Sequence, residues 1–160
     1  MADIKAFAVP TEIVVDDGSV RVPIKNLHGE EIGVFYFRPT DVGIIERYND
    51  LLPRLDSIIE PLKDVSLDRE GNPTDDSTEE QIIAINASKE RLFEELNTLF
   101  GGDMASAFFG KQNPFSPVGG KYYLENAIEA VGNYIGLQFG VEAEKMSAKA
   151  KKYTEGYEKK

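Results

Sequence analysis

The chain has 160 residues, 41% apolar and 29% charged, which suits one globular domain with a sizeable core and argues against wholesale disorder. It has no cysteine, which excludes disulfides, thiolate metal sites and a cysteine nucleophile. Its net charge is −10, with −12 on the first 140 residues and +2 on residues 141–160, which hold six Lys and four Glu; a body this acidic repels nucleic-acid phosphate.

From the amino end, Met-Ala-Asp-Ile-Lys-Ala is not a signal peptide, and no apolar run reaches the roughly 18 residues of a membrane span. A cytoplasmic protein that binds neither nucleic acid nor membrane is therefore expected. The segment to about Pro39 has strand character. Thr11–Val15 is β-branched and ends at Asp17-Gly18, a hairpin signal. Ser19–Ile24 alternates, and Pro23 places it at a sheet edge or strand end. After a turn at 26–30, Ile32–Phe37 is apolar on both faces, which predicts burial on both sides or one side left for a partner. Together these make an antiparallel sheet of about three strands.

Thr40 is the expected N-cap of a helix, with Asp41 beside its positive end. Ile45, Tyr48, Leu52, Leu55, Ile59 and Leu62 follow at 3-4-3-4-3 spacing, one apolar seam with a kink or restart expected at Pro53. The spacing returns in Ile82, Ile85, Lys89, Leu92, Leu96 and Leu99, behind a capping box at Ser77–Glu80 and before a glycine stop at Gly101. Two seams of equal length predict an antiparallel helical hairpin, with Lys89 either a rim residue or a buried register device. The connector, 63–77, reads as an exposed, mobile acidic loop. A short segment capped by Asp103 comes next, then a Gly- and Pro-rich loop, then a last helix from near Lys121 carrying Leu124, Ile128, Val131 and Ile135.

The expected fold class is thus α+β. Residues 1–140 form one domain, mainly β over 1–39 and mainly α over 40–140. The tail, 141–160, is charged and Ala-rich with almost no apolar face, and can be helical.

No motif carries catalysis. Ser66, Asp68, Glu70 and Gly71 match the start of a calcium loop, but its twelfth position is Ser77 rather than a bidentate Glu. His28 is the only histidine and has no orienting partner in sequence, and Gly119-Gly120-Lys121 lacks the remainder of a phosphate loop. No enzyme, metal or cofactor is expected. Gly132, Gly136 and Gly140 form a smooth stripe for close helix packing, within the chain or in self-association. Phe35 and Phe37 on the sheet, and Phe108, Phe109 and Phe115 in the later loop region, are candidate partner contacts; the alternative for the last three is a loop folded back over the core.

An aromatic strand closing with Gly33-Val-Phe-Tyr-Phe-Arg-Pro-Thr-Asp41 runs into a helix carrying Arg47. Leu99-Phe-Gly101, Phe108-Phe-Gly110 and a final helix follow. Over roughly residues 11–140 this order resembles tail assembly chaperones and related small tail-region proteins of long-tailed phages and prophages of Gram-positive bacteria. The resemblance implies a non-enzymatic protein of the bacterial cytoplasm that associates with tape-measure and tail-tube proteins and with itself. The long acidic connector has no counterpart in that pattern. A DNA mimic that occupies a host nucleic-acid-binding protein, and a virion tail structural subunit, are the alternatives.

Overall fold

The computed structural model describes residue 9 and residues 11–63 and 65–158, with side chains up to Lys149. The architecture is α+β: a short antiparallel sheet at the amino end, followed by helices. Strands β1 (Val20–Lys25) and β2 (Glu31–Phe37) pair antiparallel, Val20 opposite Phe37 and Ile24 opposite Gly33. The sheet has two strands rather than three. The Asp16 and Asp17 carboxylates accept from the Gly18 and Ser19 amides, and Gly18 has φ +80°, but the expected hairpin does not form there. Thr11–Val15 stays outside the sheet, with Ile13, Val14 and Val15 exposed. Gly33, Phe35 and Phe37 face inward, whereas Tyr36 is exposed and accepts from Arg21 Nε at 3.2 Å.

Helix α1 (Gly43–Ile59) has Val42 rather than Thr40 at its N-cap and no side-chain cap there, but Asp41 Oδ1 accepts from the Gly43 amide at its start. It runs through Pro53 unbroken, because Pro53 is exposed and the carbonyl it leaves unpaired, that of Asn49, lies on the solvent side. A short 3₁₀ turn (Glu60–Leu62) ends it. Helix α2 (Glu79–Phe100) opens on a complete capping box one residue later than expected. Thr78 accepts from the Gln81 amide, and Gln81 Oε1 accepts from the Thr78 amide; Thr-Glu-Glu-Gln satisfies the same rule as Ser-Thr-Glu-Glu. It closes on Gly101 at φ +66°.

The helices pair antiparallel as expected: Arg47 Nε donates to the Leu99 carbonyl at 2.9 Å, and Arg54 meets Glu95 at 2.8 Å. The α2 seam is the expected one, with Ile85, Leu92, Leu96 and Leu99 buried and Lys89 half-buried. The α1 seam is not. Ile44, Leu51 and Ile58 face α2, one position back from the row read in the sequence, of which Leu62 alone is buried. Arg47 interrupts that inner row, which hid it. Its guanidinium caps the carboxyl end of α2 and pairs with Asp41 at 2.8 Å, so the interruption is satisfied.

Arg47→Met is expected to cost about 1–3 kcal/mol in urea unfolding, since it leaves a carbonyl and a carboxylate without their donor. The Arg47 hydrogen bond, and after it the Gly43 amide, hold the Asp41 carboxyl below its ordinary 3.8. A depressed folded-state value stabilises above 3.8 and is lost as pH falls through the lowered value. The variant is therefore expected to lose less stability than the parent on acidification below that pH.

Helix α3 (Met104–Phe109), capped by Asp103 accepting from the Ser106 amide, packs on β2. A two-residue hairpin, β3 (Pro117–Val118) and β4 (Lys121–Tyr122), leads into helix α4 (Tyr123–Glu158). The core is strongly aromatic. Phe35 stacks on Phe37 with centroids 4.3 Å apart and meets Phe100 and Phe108 edge-on, and Phe109 bridges Phe93 and Tyr123. The connector is tied down rather than loose. Residues 66–74 form a tight turn with Gly71 at φ +81°, Asp68 accepts from the Glu70 and Asn72 amides, and Ser116 Oγ donates to the Glu70 carbonyl at 2.8 Å. Asp68 thus already serves backbone donors. Among the described residues no three His, Cys, Asp or Glu converge into a metal-holding set, and no helix is long and apolar enough to cross a membrane.

Candidate functional site: an apolar groove between α1 and α4

The five phenylalanines read as partner contacts are all core. Phe35, Phe37, Phe108, Phe109 and Phe115 are buried, with Phe115 fully enclosed against Tyr122. Small neighbours explain this: Gly33 and Gly102 let β2 lie against α3 and the end of α2, drawing the aromatic face inward. In this conformation none of the five presents an anchor. The correction moves attention to α1.

Helix α1 carries apolar doublets seven residues apart: Ile44-Ile45, Leu51-Leu52 and Ile58-Ile59. One member of each is buried. The other, roughly 100° around the helix, points away from α2. Ile45, Tyr48 and Leu52 are 61%, 40% and 45% exposed, and Leu55 and Ile59 are half-buried. The row read from the sequence therefore exists, but it borders an open groove instead of the helical hairpin.

Helix α4 is the other wall. Leu124, Ala127 and Val131 reach the core, yet the helix makes little close backbone contact with α1 or α2. Between them lie two adjoining clefts that share Ile128. One, of about 410 Å³, is lined by Leu55, Ile59, Tyr122 and Leu124; the other, of about 350 Å³, by Ile45, Tyr48, Phe100, Gly132 and Ile135. Charge is confined to the rim, where Glu125 and Glu129 stand on α4 and Lys121 pairs with Glu129 at 3.1 Å. Tyr123 hydroxyl donates to the Phe108 carbonyl at 3.0 Å, which fastens the start of α4 to α3, and burial pushes its pKa up.

The glycine stripe also differs from the simplest expectation. A Cβ built on Gly132, Gly136 or Gly140 meets nothing within 4 Å, so among the described residues no element uses the close approach they offer. Gly132 instead hollows the groove wall. His28 sits in the β1–β2 turn, its amide donating to Asn26 Oδ1. Walls of this kind, apolar with charge at the rim, are complementary to an apolar occupant.

Comparison with known protein families, characterised proteins and solved structures returns no match.

Proposed function

We propose that this chain is a non-enzymatic binding protein that takes apolar segments of other polypeptides into the α1–α4 groove, and that its task is tail assembly chaperoning in a long-tailed phage or prophage. The observation that carries the binding reading is the row Ile45, Tyr48, Leu52. Three large apolar side chains stay in solvent on a helix whose neighbouring row buries Ile44, Leu51 and Ile58. Contiguous exposed apolar surface of this kind marks interaction sites. Heptad spacing suits a helical occupant, which would contribute a row at the same period. The acidic body supplies the charge that keeps such a complex from further association.

The identity of the occupants rests on the sequence resemblance: tape-measure and tail-tube proteins, met in the host cytoplasm. Co-expression with tape-measure fragments followed by pull-down is expected to yield a stable complex. No complex with any tail protein overturns the chaperone reading. Recovery of the protein in purified particles replaces it with that of a structural subunit.

A further inference from the structure

Helix α4 has 36 residues, roughly 54 Å at the helical rise, and the body covers only its first part. Nearly every residue from Gly136 to Lys149 is exposed, with Leu137 and Met146 among the large apolar side chains in solvent. This second half is not uniformly polar. Ile128, Gly132 and Ile135, which line the groove, are followed on the same face by Phe139, Ala143 and Met146. The sequence continues the pattern at positions 150, 153 and 157, which hold Ala, Tyr and Tyr. A row that starts inside a groove and runs on uncovered for about 20 Å to Lys149 has a partner of matching length to find. Isolated helices in water are marginal even at favourable composition, so the projecting half gains most from that partner.

Deepening the docking reading of the groove, on which this step rests, we infer that in the absence of a tail-protein segment a second copy of the chain occupies it, through its own α4 running antiparallel. Charge sets the direction. Residues 123–140 of α4 carry Glu125 and Glu129 and no base, whereas residues 141–160 carry six Lys against four Glu. Antiparallel pairing lays each basic half along the partner's acidic half; parallel pairing sets like against like. Size sets the register. With the two-fold axis between Glu142 and Ala143, Phe139 lies opposite Met146, and Ile135 opposite position 150. Position 153, a Tyr, comes level with Gly132, where the groove wall is open. In two of these three layers a large residue stands opposite a small one, and the third pairs two large apolar residues. A two-fold arrangement makes the contact self-complementary and closed.

The full-length chain in light-scattering chromatography is expected to run at twice its 17.8 kDa mass, and Met146→Glu, at an exposed position that no folded-core contact uses, at the single-chain mass. Because the chain has no cysteine, single introduced thiols report register. Ala143→Cys is expected to form a disulfide-linked dimer on mild oxidation. Gly132→Cys is expected not to, since its copy lies some 21 residues away along the pair, roughly 30 Å. A single-chain mass for the parent, or Gly132→Cys cross-linking as readily as Ala143→Cys, overturns the inference. A parent that runs as a single chain yet captures tape-measure fragments removes the self-pairing alone. A parent that pairs as described yet captures no tail protein leaves the pairing and removes the chaperone reading.

Discussion

Gly33→Ala is expected to destabilise the fold by about 3 kcal/mol or more, whereas the same change at Gly136 is expected to be neutral or to stabilise it by up to about 1 kcal/mol. A methyl group at 33 would overlap the Ala107 carbonyl oxygen and sit 2.8 Å from its carbonyl carbon and 3.0 Å from its Cα. These are backbone atoms of α3, so relief requires the helix to leave β2 rather than a side chain to turn. Phe35 and Phe37 flank Gly33 on the same face and stack against α2 and α3, so a shift of α3 loosens the aromatic core as a whole. For a chain of this size the loss corresponds to roughly 6–12 °C in Tm. At Gly136 the new methyl meets open space and removes only the entropic penalty of glycine in a helix. Parallel thermal melts check both signs.

Tyr48→Glu combined with Leu52→Glu is expected to leave the melting temperature within a few degrees of the parent while weakening capture of an apolar partner segment by at least about 30-fold. Both side chains are more than one-third exposed, so charge there buries nothing in the free protein. In a complex the same carboxylates would be desolvated against the partner's apolar row, which costs at least the roughly 2 kcal/mol of an interface hot spot. The doubly acidic wall would also face Glu129 across the groove. The control is Leu51→Ala on the inner row. Leu51 is buried, so that variant is expected to lose about 2–5 kcal/mol of stability while its folded fraction still binds. Titration calorimetry at a temperature where both variants are folded separates the two outcomes.

Much of the fold was legible because its signals are local. Gly101 and Asp103 mark a helix stop and a cap through backbone chemistry that needs no tertiary context, and each appears where expected. The α2 seam was legible for the same reason: one strong row, one face. Helix α1 was misread because it has two rows a single position apart. The row with unbroken heptad spacing is the outward one, while the inward row contains Arg47, a residue that only the carboxyl end of α2 and Asp41 make acceptable there. The doublets at 44–45, 51–52 and 58–59 were the available signal that both rows mattered.

The partner-facing aromatics were misassigned because exposure is not a local property. Phe108, Phe109 and Phe115 lie among loop-forming residues, yet Gly33, Gly71 and Gly102 let backbone segments close over them. The docking of residues 66–74 on Ser116 is likewise a long-range event that composition does not announce. The second half of α4 looked featureless because Phe139, Ala143 and Met146 are diluted by charge, and the row becomes visible only as the continuation of Ile128, Gly132 and Ile135.

Methyl NMR of the isoleucine- and leucine-labelled protein, titrated with a tape-measure segment, addresses the groove most directly. Docking between α1 and α4 predicts that the methyls of Ile45, Leu52, Ile59, Ile128 and Ile135 shift, while those of Ile85, Leu92 and Leu96 in the α1–α2 core hold their positions. Saturating segment with no shift in the groove methyls, or shifts confined to the β1–β2 hairpin, contradicts it.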